Sequence, residues 1–287
     1  MATAPDAPVA ALGHRRDRLL RAILSSFLFA YMGFILAVLL ASAIWLTRTD
    51  RATGSPYLFG LARDEQLGGE ILFAFKLSLV TSAITAGLAM VIGIPSAYAL
   101  SRFRFRALAF IDTVIDLPIV MPPLIAGIAL LLFFRQTMTG RFIEDHLVPV
   151  VYTKTGIVVA QFFVASAFAI RALKATFDQI NPRFEGVARS LGCTAWQALW
   201  KVALPLARNG IIAGLVMTWA RAMGEFAPIM MLAGSSPGRT AVLSVTAFLN
   251  MSAGHVEASI AVVVLMVIIA ALTLVTFKRM GGQGYLW

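Results

Sequence analysis

NPRFEGVARSLGCTAWQALWKVALP, residues 181–205, lies between two long apolar segments and is too polar to span a bilayer. Asn181 before Pro182 is a helix-start signal: a capping side chain, then a residue whose missing N–H costs nothing in the first turn. Phe184, Val187, Ala188 and Leu191 recur at i, i+3, i+4 and i+7, which makes one apolar stripe. Glu185 and Arg189 are spaced to pair along the polar side. Gly192 stands where a helix commonly ends in a left-handed residue. Thr194 and Gln197 have the spacing of a capping box and open a second helix, which Pro205 is expected to interrupt. A short amphipathic helix, a glycine corner and a second helix leading back to an apolar segment form a docking element. The plainer alternative is an ordinary amphipathic loop helix.

The flanking sequence says what such an element is attached to. A chain of 287 residues with 59% hydrophobic and 13% charged residues is not a soluble globule. Crossing the hydrocarbon core as a helix takes about 20 apolar residues. Six runs meet that length, at approximately 25–46, 71–100, 113–134, 156–173, 206–233 and 256–277. The expected organisation is an N-terminal tail (1–24), a first membrane helix (25–46), a core of five further membrane helices (71–277) carrying the 181–205 loop, and a C-terminal tail (278–287). The second run is longer than one crossing needs, so it tilts or extends past the bilayer, with Lys76 reaching toward one end. Arg15 to Arg21 followed by an apolar run and Ala41-Ser42-Ala43 imitate a cleavable signal. The apolar run nevertheless continues from Phe27 to Leu46, which is long enough to anchor, and an uncleaved helix is expected.

The net charge of +10 invites a nucleic-acid partner, but its placement points to topology instead. With the N-terminus inside, 15 of the 24 Lys and Arg fall on the inner side, including Arg102, Arg104, Arg106, Arg171, Arg189 and Lys201. Seven fall outside, and Lys76 and Arg221 lie within membrane segments. That bias places both termini and the 174–205 loop in the cytoplasm. No nucleic acid is expected as a partner, and lipid is. The single cysteine, Cys193, excludes a disulfide within the chain. His14, His146 and His255 have no metal-ligand spacing, and no phosphate-binding G-x-x-x-x-G-K-[ST] motif occurs. Neither a metal, nor a catalytic residue, nor ATP bound by this chain is expected.

Several residues inside the apolar runs need a reason to be there. In TWARAMGEFAPIMMLAG, residues 218–234, Arg221 and Glu225 are charges four residues apart, expected on one helix face. They form either an internal ion pair that fixes helix packing, or a pair in which Arg221 lends positive potential to an anion path. Pro118, Pro122 and Pro123 cannot all sit in a straight helix. Broken backbone at membrane depth is tolerated where it is packed in protein or lines a watery cavity. These prolines therefore mark a kinked structural helix or the lining of a gate, whereas Pro95 and Pro228 are expected to be simple kinks. Small residues at four-residue spacing (Ala83/Gly87, Ala89/Gly93, Gly210/Gly214, Ala220/Gly224) permit close helix approach.

Gly192, nine residues, then Val202-Ala203-Leu204-Pro205 resembles the EAA loop of permease subunits of ATP-binding-cassette importers. That loop runs Glu-Ala-Ala, three residues, Gly, nine residues, Ile-x-Leu-Pro. The family's acidic position is Gly186 here, and the carboxylate is Glu185, one residue earlier, a rotation of about 100° on a helix. Arg221 to Phe226, Leu232-Ala233-Gly234, Pro237-Gly238-Arg239-Thr240 and the run Asp116 to Gly127 are similar to the molybdate/tungstate branch, and less closely to the sulfate branch. Ala227-Pro228 stands where that branch usually has Gly-Ala. The resemblance implies an all-α type I importer permease fold with six transmembrane helices and a cytoplasmic coupling helix in the bacterial inner membrane. It further implies a second permease subunit, identical or homologous, two ATPase subunits that carry ATP and Mg, and a periplasmic or lipid-anchored binding protein. Coupling to the ATPase would fall to Phe184, Glu185, Gly186, Ala188, Leu191, Gly192, Leu204 and Pro205. The path or gate would fall to Pro118, Pro122, Pro123, Arg221 and Glu225, and binding-protein docking to Arg239. The alternative is a secondary transporter or channel working without ATP. Such proteins more naturally carry related halves, and no internal repeat is evident.

Overall fold

The computed structural model describes residues 7–47, 65–104 and 106–280. Residues 48–64, between the first two expected membrane helices, and 281–287 of the expected C-terminal tail lie outside them. The chain divides into two units, Met1–Gly60 and Leu61–Trp287. Among its described residues the first unit holds α1 (Ala7–Leu46), of which Leu20–Trp45 is long and apolar enough to cross a membrane.

In the second unit the helices are α2 (Glu65–Arg102), α3 (Leu108–Val120), α4 (Pro123–Gln136), α5 (Met138–Phe142) and α6 (Lys154–Gln179). They are followed by α7 (Arg183–Ser190), α8 (Ala195–Ala198), α9 (Leu204–Met223), α10 (Ala227–Leu232), α11 (Leu243–Ser252) and α12 (Val256–Met280). Among the described residues five helices are long and apolar enough to cross a membrane, or six passages if the bent pair α3–α4 counts as one.

Two of the expected membrane runs are broken, and the chemistry of each break is local. The run 113–134 turns by 110° between α3 and α4. Pro118 stays inside α3, and the break falls at Met121 (ψ 131°) and Pro122 (ψ 130°). Each of these residues precedes a proline, and the ring of a following proline forces its neighbour out of the helical region. Pro123 then starts α4, where a missing N–H is harmless. The run 206–233 stops at Met223: Gly224 caps α9, and α10 begins after Phe226 with Pro228 in its first turn. Pro228 therefore starts a helix and is not a kink within one.

Pro205 gives the reverse correction. It does not interrupt the polypeptide's helical course, because residues Leu199–Ala203 form a π-turn in which the N–H of Leu204 bonds the carbonyl of Leu199. The wider turn takes up the proline, which has no N–H of its own to donate.

α2, α6 and α9 pack on one another through small side chains: Ala89, Ala97, Ala169 and Ala207 are buried with Leu173 and Phe177. Gly210 lets α9 lie against α6 at Thr176, whose Cβ would be 2.8 Å from a Cβ at position 210. The Gly210/Gly214 pair is thus used inside the chain, whereas a Cβ at Gly87 would meet nothing within 4 Å. α4 crosses α10 just as closely, since a Cβ at Gly127 would come within 2.8 Å of Pro228 Cα.

Candidate functional site

Local hydrogen bonding makes the 181–205 element rigid. The side-chain oxygen of Asn181 accepts the Arg183 N–H at 3.0 Å. At the other end of α7, Gly192 has φ +94°, the Cys193 N–H bonds the Ala188 carbonyl and the Gly192 N–H bonds that of Arg189. These two bonds make a Schellman corner. Both halves of the expected capping box form at α8: Gln197 N–H to Thr194 Oγ1 at 3.2 Å and Thr194 N–H to Gln197 Oε1 at 2.9 Å.

The rigid corner holds an apolar face outward. Phe184, Val187 and Leu191 are 57%, 60% and 81% exposed, and Trp196 and Trp200, edge to face at 5.8 Å, are also exposed. Gly186 is exposed and Ala188 half-buried. Leu204 instead packs inward beside Ala203 and Ala207, so it does not join the outward face. Pro205 is exposed at the start of α9.

Glu185 corrects the sequence reading most. It does not pair with Arg189 along an exposed polar side. It is buried (8% exposed) on the opposite face of α7, where it takes the Nε–H of Arg102 at 2.8 Å and the hydroxyl of Tyr98 at 2.5 Å. The one-residue displacement from the family's acidic position turns the carboxylate inward to the end of α2. Neither Tyr98 nor Arg102 carried a local signal for this, since they are 87 and 83 residues away in sequence.

A second polar group surrounds the break after α9. Arg221 and Glu225 do meet, but across the helix end and not on a shared helix face. Arg221 Nη1 lies 2.6 Å from Glu225 Oε1, yet outside hydrogen-bonding alignment, so among the described residues that buried oxygen has no hydrogen-bond donor. The Glu225 side chain is 2% exposed and that of Arg221 33%, so the carboxylate is enclosed while the guanidinium reaches open space beside the Phe168 ring, 5.2 Å away. Polar side chains satisfy the opened backbone. Gln161 donates to the Ala222 carbonyl at 3.0 Å and accepts from Thr85, and Ser244 donates to the Glu225 carbonyl at 2.6 Å. Gln161, buried in α6, escaped the sequence reading because one neutral amide does not disturb an apolar run.

Pro118 lines an apolar groove with Val114, Phe162, Phe163 and Ser166, while Pro122 and Pro123 are exposed at the α3–α4 bend. The sequence reading also missed what holds α3. Arg171 of α6 forks to Asp112 (2.6 Å) and Asp116 (2.5 Å) and donates to the Asp112 carbonyl at 2.8 Å. Two aspartates one turn apart in an apolar run were the available signal. Arg239 is exposed in a turn where Ser236 accepts three backbone N–H groups and Gly238 has φ +68°. Pro237 and Gly238 border a pocket of about 380 Å³ with Glu70, Asn250 and His255.

An all-helical chain with a broken span, an enclosed charge at a helix break and a rigid external helix with an apolar face has the makings of a membrane transport subunit. Residues 89–280 match the family described as binding-protein-dependent transport system inner membrane component, and the chain belongs to that family. It is 34% identical over 200 residues to the molybdenum transport system permease protein ModB of Mycobacterium tuberculosis, covering 69% of this chain and 75% of that one. It is 30% identical over 210 residues to the sulfate transport system permease protein CysT of Escherichia coli, covering 73% and 75%. Its fold is similar to a chain of a bacterial alginate ABC transporter crystallised with its periplasmic protein, with a TM-score of 0.71 at 17% identity, covering 94% and 97%. The protein is therefore a multi-pass ABC importer permease, a non-catalytic membrane subunit that holds no cofactor, since ATP hydrolysis belongs to a separate subunit. An ATP-independent carrier gives way to this family.

Proposed function

We propose that this chain moves a tetrahedral oxyanion, molybdate or tungstate first and sulfate second, across the bacterial inner membrane. It works as one of a pair of permease subunits, with two ATPase subunits docked on α7 and a periplasmic or lipid-anchored binding protein outside. The observation that carries this reading is the apolar face of Phe184, Val187 and Leu191, held outward by a capped and cornered helix. Such a face on a segment outside the bundle has an ATPase as its natural cover. The anion is inferred from relatives named for molybdenum and sulfate and from the partly open guanidinium of Arg221. Both termini and α7 lie in the cytoplasm by the distribution of Lys and Arg. Closure of the ATPase pair on ATP displaces α7, and the helices around the α3–α4 bend and the α9–α10 break part toward the outside. Pro118, Pro122 and Pro123 form the flexible part of that gate, and Arg239 meets acidic side chains of the binding protein.

Reconstituting the permease with its ATPase and binding protein in vesicles tests the reading. ATP-dependent uptake of molybdate or tungstate in preference to sulfate is expected, and uptake that needs no ATP sinks the proposal. In the same assay Gly192→Pro should lose uptake while still inserting. Proline cannot adopt φ +94° and removes the N–H that closes the corner on Arg189. Uptake at the native rate by that variant would exclude a lever at 181–205.

Cys193 reports the topology directly, being the chain's only thiol and partly exposed at the corner. A membrane-impermeant maleimide should label it in inverted vesicles and not in intact cells. Ready labelling from outside would reverse the orientation.

A further inference from the structure

α7 is joined to the bundle by a polar strap and not by packing alone. A cleft of about 430 Å³ separates α7 and α8 from the end of α2, lined by Pro95, Tyr98, Arg102, Glu185, Arg189 and Trp196, among others. Across this gap both carboxylate oxygens of Glu185 are held by α2, Oε1 by Arg102 and Oε2 by Tyr98, two residues one turn apart. Arg102 also donates from Nη2 to the carbonyl of Ile180, which caps the C-terminal end of α6, and from Nη1 to Ser101 Oγ. Ser101 donates to Asp178 of α6 at 2.6 Å, and Lys174 holds the other oxygen of Asp178 at 2.8 Å. The Tyr98 ring stands edge-on to Phe177, fully buried in α6, at 5.5 Å. The guanidinium and carboxylate side chains of the Arg102–Glu185 pair are 9% and 10% exposed.

We propose that Glu185 is a positioning residue of the transport cycle that makes α7 a rigid extension of α2 and α6. Force applied to the Phe184–Leu191 face then moves those helices. Without the strap α7 would close the cleft or swing on its two flanking loops and move nothing else. Charge-assisted bonds at both carboxylate oxygens suit this task, because they fix direction as well as distance. Glu185 acts through Arg102 and does not touch the ATPase, which accounts for a carboxylate one residue away from the position the family uses. The inference rests on the coupling role proposed above.

The test uses the full complex with its ATPase and binding protein, reading anion uptake, ATP hydrolysis and retention of the ATPase on copurification. Glu185→Ala and Arg102→Met should each lower uptake about tenfold, the scale on which residues along a coupling path act. ATPase retention and continued hydrolysis are expected, so ATP spent per anion rises. The exchanged pair, Arg102→Glu with Glu185→Arg, should recover most of the uptake, and Glu185→Gln, which keeps an acceptor oxygen, should fall between. If the single variants fail to insert, recovery of insertion and uptake by the exchanged pair still supports the strap, and no recovery overturns it. Native uptake by Glu185→Ala, or loss of the ATPase from that variant without recovery in the exchanged pair, also overturns it. A native complex without ATP-driven uptake would overturn the functional reading and this inference together. A native complex that transports alongside an unimpaired Glu185→Ala would overturn the strap alone.

Discussion

Arg221→Met should abolish anion uptake and destabilise the subunit. Glu225 is enclosed and Arg221 is its only ion-pair partner among the described residues. A buried charge stripped of its partner costs about 3–5 kcal/mol, whereas removing both charges is often close to neutral. Combining Arg221→Met with Glu225→Gln should therefore restore the melting temperature in detergent. The two side chains differ in exposure, and that difference separates their roles. Glu225 is enclosed and serves the fold, while Arg221 keeps a third of its side chain open and is proposed to face the anion. Its place in the last turn of α9 also gives the cation a favourable dipole. The double variant is thus expected to be stable yet to transport poorly. Full uptake by the stable double variant would remove Arg221 from the anion path.

Gly210→Val should strongly destabilise the packing of α9 on α6. An added Cβ would overlap Thr176 Cγ2 and Oγ1 and lie 2.8 Å from Thr176 Cβ, so shortening the threonine side chain cannot relieve it. α9 would have to move away from α6, and over-packing of this kind costs about 1–3 kcal/mol or more. Gly87→Val is the matched control, because a Cβ there meets nothing within 4 Å and surface changes usually stay within about 0.5 kcal/mol. Thermal unfolding of the two purified variants should show a clear loss for Gly210→Val and little for Gly87→Val. Equal melting temperatures would contradict the close α6–α9 crossing.

The corner of 181–205 was readable because its determinants are neighbours in sequence. The Gly192 φ, the Thr194–Gln197 box and the Phe184–Val187–Leu191 face each involve residues within a turn or two of one another. The family followed from the same residues together with the 218–240 and 116–127 runs. The effect of Pro205 was misjudged because a proline's influence depends on whether the preceding turn can widen, and here residues 199–203 do so. Likewise, clustered prolines foretold a break, but its 110° angle depends on what α3 and α4 pack against.

Composition, apolar run lengths and the placement of Lys and Arg were enough to indicate a multi-pass helical membrane protein. All three are properties of stretches short enough for solvent preference and backbone geometry to act alone. The inward turn of Glu185 onto Arg102 and Tyr98, the fork of Arg171 to Asp112 and Asp116, and the unequal burial of Arg221 and Glu225 arise differently. The first two join residues 55 to 87 positions apart, and the third depends on α9 ending at Gly224 instead of continuing. Which partner a charge finds inside a membrane protein is set by where the helices cross, and those crossings come from packing that no single stretch contains.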